Sequence, residues 1–358
     1  MMAVAWPVHA GPVGNVWSTL ASIPTPVAEG GAAVVGGTLY VADGLQGAGS
    51  VASSQMWEYA IATNSWQQGA PDLFARTGIT AAAGQNGKMY VFDGTIGSSV
   101  MDYTTVFDPT RNAWQQVASD PVPRTGASAV LMANGDIMVA GGSTTATNPT
   151  PTASVSAYDP TNNSWQTLPA MNEAVTNASA VALGGKIYVM GGTIDSGGSL
   201  SPSNLLQVYD PTVSGGNPWS LFVPLPVAVE AGVGGAINGA LVIAGGIATN
   251  GSPTSTAAAF DPTTDFNWSV IASLPTSLYA AATGAISTGN EMFVIGGQNA
   301  SGLLSSSYEM SSASSVAEPN GAASAAVGLM ALAALATRRR YRASQPIVAS
   351  GSASVVRR

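Results

Sequence analysis

The sequence contains no cysteine and a single histidine, His9, among its 358 residues. The absence of cysteine excludes disulfide scaffolds, thiolate zinc sites, iron–sulfur clusters and cysteine nucleophiles. One histidine cannot form a histidine metal cluster, and catalysis that depends on histidine is disfavoured as well. We therefore expect no metal site and no cofactor, and the sequence identifies no catalytic residue.

Charged residues are also scarce, at 8% of the chain against about 25% in an ordinary soluble domain. Residues 1–310 contain 18 acids and 5 bases, a net charge of −13, whereas residues 311–358 contain one acid and six arginines, a net charge of +5. Because nucleic-acid binding needs a basic surface, the acidic body argues against a nucleic-acid partner. The 42 glycines and 22 prolines favour short strands joined by turns over a helical bundle.

A repeated unit of about 50 residues dominates the chain. Its tryptophans are Trp17, Trp66, Trp114, Trp165, Trp219 and Trp268. Four units carry a turn in which an aromatic residue is followed by Asp-Pro-Thr, and the aspartates of these turns are Asp108, Asp159, Asp210 and Asp261. Each unit also has an apolar run that ends in Gly-Gly, or in Asp-Gly in the first two copies. Six copies of this unit account for residues 15–310.

Each unit has the pattern of four strands. In the third copy, the strand at 127–132 leads into a hairpin turn at Asn134-Gly135. The second strand ends at Gly141-Gly142, the third ends at Tyr158, and Trp165 opens the fourth. Four strands with a period of about 50 residues are typical of a β-propeller blade.

This pattern resembles the kelch repeat, whose signature is a double glycine, a downstream Tyr-Asp-Pro and a tryptophan shortly after the aspartate. The third copy matches it fully with Gly141-Gly142, Tyr158-Asp159-Pro160 and Trp165. The first copy departs from it at Asp43-Gly44 and Tyr59-Ala60. The resemblance implies an all-β fold, a six-bladed kelch-type β-propeller.

The two ends of the repeat array indicate how the ring closes. The sixth copy stops at Met310 without a tryptophan strand, and the segment 15–20 is a tryptophan strand without a blade. We expect these two to pair, because pairing completes the sixth blade and removes open strand edges. The alternative is five and a half blades with a frayed start.

The C-terminal region has the pattern of a sorting signal. A Ser-rich linker with a Glu318-Pro319 box occupies residues 311–320, and residues 321–342 contain an apolar run followed by Arg338, Arg339 and Arg340. This resembles the PEP-CTERM signal of Gram-negative bacteria, which implies a short transmembrane helix, an exosortase-type processing enzyme as partner, and export to the cell envelope or extracellular space. The arginines would keep this end on the cytoplasmic side of the inner membrane. We interpret residues 1–14 as the remnant of a signal peptide and residues 343–358 as a disordered tail.

Candidate binding residues come from the segments that precede the innermost strands, where propellers place functional loops. Arg76 and Arg124 share an Arg-Thr-Gly context, and Glu29, Glu230 and Tyr279 lie in the corresponding segments of other copies. The paired arginines could hold a carboxylate or sulfate, or they could be structural and bind neighbouring carbonyls. Asp43 and Asp93 could share a cation, or simply occupy turn conformations that aspartate tolerates.

Two classes of function fit the sequence. The first is an exported, non-catalytic binding or adhesion module with a polysaccharide or protein ligand. The second is a carbohydrate-active enzyme, a histidine-free isomerase or lyase on the same propeller. Galactose oxidase shares the blade type, but its copper chemistry requires histidines and a cysteine-crosslinked tyrosine that this chain lacks.

Overall fold

The computed structural model describes residues 16–311 except residues 48, 50, 286 and 289. Within them the only helical segment is the 3-10 turn Ile61–Thr63, and all other regular elements are strands. Antiparallel sheets follow one another along the chain, as in a β-propeller.

Five blades have four strands each, and every strand pairs with the next one in the sequence. In the order from the axis outwards, these strands are Gly31–Val35, Thr38–Ala42, Met56–Ala60 and Ser65–Gln68; Thr80–Ala83, Met89–Phe92, Thr104–Asp108 and Ala113–Val117; Ser128–Leu131, Ile137–Ala140, Val155–Asp159 and Ser164–Leu168; Ser179–Leu183, Lys186–Met190, Leu206–Tyr209 and Trp219–Leu221; Val233–Ile237, Ala240–Ala244, Ala257–Phe260 and Ser269–Ile271.

Short antiparallel strands also pair outside the blade sheets, in the segments before the innermost strands and in the loops after the second strands. They are Val27–Ala28, Leu45–Gln46 and Val51–Ala52; Thr95–Ile96 and Ser99–Val100; Thr193–Asp195 and Leu200–Pro202; Val229–Glu230 and Ile247–Ala248; Gln298–Asn299 and Gly302–Leu303.

The sixth copy forms a sheet of three strands, Glu291–Ile295, Ser307–Ser311 and Trp17–Thr19. We call the last of these the closing strand. Trp17 lies opposite Met310, so the predicted pairing of the N-terminal strand with the end of the repeat array is observed. The expected count of six four-stranded blades is not, because this sheet has no innermost strand of its own.

The segment in the innermost position of the sixth copy, Thr283–Ala285, lies elsewhere, and we call it the axial strand. It pairs in parallel with the innermost strands of the first two blades, where Gly284 faces both Ala32 and Ala81. Gly284 has a φ of +138°, and a Cβ there would collide with the carbonyl oxygens of Ala32 and Ala81. Only glycine allows two backbones to approach so closely.

The hydrophobic core lies between neighbouring blades rather than inside a single sheet. Between the second and third blades, for example, Tyr90 and Phe92 pack against Tyr158. The second strands are buried except at the first residue of some of them, and Met89–Phe92 is buried along its whole length, because a blade covers each of their faces. Burial of each large side chain contributes about 1.5–3 kcal/mol.

The repeated tryptophans link each sheet to the one before it. All six indole N–H groups donate over 2.8–3.1 Å to a backbone carbonyl one or two residues after the outermost strand of the preceding sheet. The acceptors for Trp17, Trp66, Trp114, Trp165, Trp219 and Trp268 are Ala272, Ala21, Ala70, Ala118, Pro169 and Val223. The closing strand thus makes the same contact as the outer strands of the five blades.

No helix in the described part of the chain is long and apolar enough to cross a membrane. The expected signal-peptide remnant at 1–14, the transmembrane stretch at 321–342 and the tail at 343–358 lie outside the described residues, as do Glu318, Pro319, Arg338, Arg339 and Arg340.

We predict that deletion of residues 1–20 lowers the free energy of unfolding by at least about 3 kcal/mol, the usual cost of losing one buried tryptophan. Trp17 is 7% exposed, and its loss also exposes the edge of Ser307–Ser311, which promotes association. Chemical unfolding and size-exclusion chromatography test both effects, with deletion of residues 1–14 as the control that retains the closing strand. Equal stability and a monomeric state for both deletions would contradict the closure.

Candidate functional site

Six residues surround the propeller axis just before the innermost strands, and all six have left-handed backbone. Their φ angles lie between +51° and +65°, and they are Glu29, Gly78, Gly126, Asn177, Ala231 and Ala280. We call them the axial ring. Left-handed backbone is uncommon for residues other than glycine, so a shared constraint must hold Glu29, Ala231 and Ala280 there.

That constraint is a closed circle of backbone hydrogen bonds. The N–H of each ring residue donates to the carbonyl oxygen of the ring residue in the preceding copy, over 2.7–3.1 Å. The circle closes where Glu29 donates to Ala280 over 2.9 Å. Every copy therefore contributes one donor and one acceptor, and no ring residue can leave without breaking two bonds.

The glycine pairs form a second set of bonds around the axis. In each copy the second glycine donates its N–H to the carbonyl two positions before the next ring residue, as Gly142 does to Val175 over 2.8 Å. The second glycine has a φ of 86–100°, whereas the first position has a φ of 59–68°. Aspartate tolerates the φ range of the first position, 59–68°. This explains why Asp43 and Asp93 can replace a first glycine.

A cavity of about 310 Å³, the axial cavity, opens at the axial ring. All six ring residues line it, and Thr283 of the axial strand lines it as well. Gly284 lines a second, largely aliphatic cavity of about 270 Å³ with Val34, Val130 and Val181. The axial strand therefore separates the two cavities and forms the floor of the axial cavity.

Three of the predicted binding residues lie together in the axial cavity, and they come from consecutive copies around the axis. Glu230 precedes the ring residue Ala231, Tyr279 precedes Ala280, and Glu29 is itself the next ring residue. Threonines and glycines, among them Gly78, occupy the other side of the cavity. The lining is thus polarised, with two carboxylates and a phenol on one arc and small residues on the other.

The two glutamates differ in their surroundings. Glu230 accepts a hydrogen bond from the hydroxyl of Thr193, which fixes its carboxylate. Burial raises the pKa of Glu29 above its usual value of 4.5. Among the described residues, no lysine or arginine lines the cavity.

The arginines of the predicted anion rim lie elsewhere, because Arg76 and Arg124 are 0% exposed and absent from the cavity lining. They stand two positions before a ring residue, whereas Glu230 and Tyr279 stand one position before it. Successive side chains of extended chain point to opposite sides, so this one-residue difference turns the arginines between the blades. The two arginines therefore do not form an anion-binding rim at the cavity. They agree with the alternative in which they are structural and bind neighbouring carbonyls.

Each buried arginine is held by two aspartates and by backbone carbonyls. Arg76 lies 2.7 Å from Asp72 and 3.4 Å from Asp43, and it donates to the carbonyl of Tyr103 over 2.9 Å. The cluster around Arg124 is built in the same way. Arg124 lies 3.2 Å from Asp120 and 3.7 Å from Asp93.

These clusters occupy the junctions between the first and second blades and between the second and third. At the other junctions the corresponding pair is apolar, for example Gly141 against Val175. In each cluster two carboxylates share one guanidinium, and burial, followed by the neighbouring carboxylate, raises the pKa of Asp43 and of Asp93 well above 3.8. Among the described residues no group of acidic or histidine side chains is arranged to hold a metal ion.

A sequence signal for these clusters exists. Aspartate replaces the first glycine only in the two copies that precede the arginines, and a second aspartate stands four positions before each arginine. No residue pattern in the sequence predicts the axial ring, because its hydrogen bonds join backbone groups and its six positions hold four residue types.

The chain is similar to proteins with kelch repeats. The family profile described as the KLHDC2/KLHL20/DRC7 Kelch-repeats domain matches residues 78–297. Kelch-like protein 25 of Xenopus tropicalis is 27% identical over 277 residues, which are 77% of this chain and 38% of that protein. Human Kelch-like protein 21 is 36% identical over 74 residues, 21% of this chain and 11% of that protein. The chain thus spans well under half the length of these curated relatives.

A solved structure, that of YjhT, has a similar fold. It superposes with a TM-score of 0.68 over 80% of this chain and 95% of the other, at 18% sequence identity. An identity this low shows likeness of fold alone.

We predict that Arg76→Met lowers the free energy of unfolding by about 3–5 kcal/mol, because it leaves Asp43 and Asp72 buried without a cation. The control is Arg111→Met, since Arg111 is 79% exposed and lies 3.9 Å from Asp108. We expect this control to change stability by less than about 1 kcal/mol. Chemical unfolding measures both variants, and equal effects would contradict the buried cluster.

We also predict that Asp43→Asn reduces the pH dependence of stability. The folded protein holds the proton of Asp43 more tightly than the unfolded chain does, so the free energy of unfolding falls as the pH rises from 3.8 through the raised pKa. The variant removes this loss and leaves a neutral Asp72–Arg76 pair. Chemical unfolding measured across this pH range should show that the free energy of unfolding of the variant increases, relative to that of the wild type, as the pH rises. A constant difference would overturn the assignment.

Proposed function

Because the chain belongs to the kelch-repeat family, we propose that it is a non-catalytic binding module whose ligand occupies the axial cavity. The observation that carries the proposal is the convergence of Glu29, Glu230 and Tyr279 on one cavity of about 310 Å³. A concave site with a few convergent polar groups on a rigid scaffold is the usual form of a small-ligand site. The circle of ring bonds supplies the rigidity.

An oligosaccharide suits this lining better than a flat protein surface does. Carboxylates accept hydrogen bonds from sugar hydroxyls, and the phenol of Tyr279 can both donate and accept them. The ring of Tyr279 also offers an apolar face to a pyranose. The cavity is floored by the axial strand, so it accepts the end or a single unit of a chain rather than a thread passing through the propeller.

The second candidate is a carbohydrate-active enzyme, an isomerase or lyase without histidine. It is favoured by Glu29, whose raised pKa suits a general acid, and by the nearby phenol of Tyr279. A binding module and an enzyme differ in turnover, so one set of ligands distinguishes them.

We predict that the full chain binds oligosaccharides on a glycan array and that Tyr279→Ala weakens this binding at least tenfold, a change of about 1.4 kcal/mol. Glu173→Gln is the control, since Glu173 is exposed and lies outside the cavity lining. Incubation of each bound glycan with the protein, followed by mass spectrometry, tests for turnover. Binding that Tyr279→Ala leaves intact would contradict the site, and chemical conversion would favour the enzyme.

We also propose that the propeller has six blades and that the axial strand is the displaced innermost strand of the sixth. Support comes from the chain on either side of the axial strand. Ala282 donates its N–H to the carbonyl of Ile295 over 3.1 Å, and Ser287 forms a bridge with Met292. The six tryptophan contacts and the six ring bonds support the same count.

Finally, we propose that the protein is exported to the cell envelope or extracellular space and sorted through residues 311–358. The proposal rests on the Glu318-Pro319 box, the apolar run within 321–342 and the cluster Arg338–Arg340. The run has few strongly apolar side chains, so it would hold the chain in the inner membrane only briefly. An exosortase-type enzyme would then cut near the box.

We predict that mass spectrometry of the protein from its native host finds a C-terminus near Glu318-Pro319. The apolar run and the arginines would be removed with the tail. Recovery of peptides that end at Arg358 from protein lodged in the inner membrane would contradict processing and indicate a plain membrane anchor.

A further inference from the structure

We propose that the axial cavity selects a sugar that carries a protonated amino group, and that Glu29 and Glu230 bind this group beside the ring of Tyr279. The inference rests on the proposed function, and it assigns a ligand class to the same cavity.

The position of the three side chains gives the first argument. Ala231, Ala280 and Glu29 are joined in series by two ring bonds of 2.9 Å each. Glu230 and Tyr279 directly precede the first two of these residues. The two carboxylates therefore flank the tyrosine around the axis, and a cation between them also meets an aromatic ring, which favours binding of a cation.

The charges of the described residues give the second argument. All five of their basic side chains are already paired with aspartates outside the cavity, and these are Arg76, Lys88, Arg111, Arg124 and Lys186. Within the described part of the chain, no hydrogen bond or ion pair reaches the carboxylate of Glu29. The described part of the protein thus supplies no cation to Glu29 and Glu230, and we infer that the ligand provides this positive charge.

The fixed geometry of Glu230 supports direct recognition. Thr193 donates to one of its carboxylate oxygens, so the side chain is oriented before a ligand arrives. An ammonium group could then donate to both glutamates, and such charge-assisted bonds are about twice as strong as neutral ones. A neutral N-acetyl group would leave the half-buried carboxylate of Glu29 without a cation, which is unfavourable.

The opposite arc fits the rest of a sugar. Gly78 and Gly126 have no side chain there, and Thr176 on the same side is buried with its hydroxyl donating to backbone carbonyls. The loop that contains Thr145 and Pro149 forms the adjoining wall. The space left by the two glycines accommodates the body of a sugar while the two glutamates hold the amine.

Two oligosaccharides that differ only in this group test the inference. Isothermal titration calorimetry of the full chain compares a glucosamine hexamer with an N-acetylglucosamine hexamer, at a pH where the amines are protonated. We expect the glucosamine hexamer to bind at least tenfold more tightly, a difference of about 1.4 kcal/mol. Glu29→Gln should reduce this ratio toward one, whereas Glu173→Gln should leave it unchanged. Thermal unfolding confirms that each variant is folded.

The outcomes separate this inference from the proposed function. If both hexamers bind equally well, the axial cavity is still a sugar site, but the selection for an amine is refuted. If neither hexamer binds and the glycan array is also blank, the proposed function itself fails. Tighter glucosamine binding that survives Glu29→Gln and Glu230→Gln together would show general attraction to the acidic body and overturn the inference. Equal affinity for a lysine peptide would overturn the assignment to a sugar.

Discussion

The closed circle of hydrogen bonds among the six ring residues is the constraint on which the rest of the structure depends. It holds four residues that are not glycine in left-handed backbone, at a cost of about 1–2 kcal/mol each. The cost is offset because each ring amide and carbonyl is paired next to a polar cavity. In four copies the residue before the ring position lines the cavity, namely Thr125, Thr176, Glu230 and Tyr279. The residue two positions before the ring lies buried between the blades in every copy. The side of the axial cavity that carries Glu29, Glu230 and Tyr279 and the buried junctions between blades are consequences of the same backbone arrangement.

Two chemical solutions satisfy the junctions between blades. Most copies use a first glycine packed against an aliphatic side chain, as Gly141 does against Val175. Two copies place an aspartate in that position and an arginine opposite it, with a second aspartate to complete the cluster. A buried ion pair is weak support for stability in general, but here the guanidinium also satisfies backbone carbonyls such as that of Tyr103. Equivalent positions in the repeat thus form the junction with either apolar or charged side chains.

Much of this architecture could be predicted from the sequence, because the repeat contains residues with strong local conformational or packing preferences. Tryptophan spacing located the outer strands, glycine pairs located the ends of the second strands, and the unpartnered Trp17 indicated the closing strand. The direction of Arg76 and Arg124 could not be predicted from their motif, since one residue of register decides whether a side chain faces the axis or a neighbouring blade. The axial strand was equally hidden, because its position depends on the lack of a side chain at Gly284 and on backbone contacts with two other blades.

Native-state hydrogen exchange at the six ring amides tests the central claim most directly, because it follows the circle itself. If the circle is a single cooperative unit, the amides of Glu29, Gly78, Gly126, Asn177, Ala231 and Ala280 should show the same protection, close to the free energy of global unfolding. Exchange of any one of them at the rate of an exposed loop, while the others stay protected, would contradict the account.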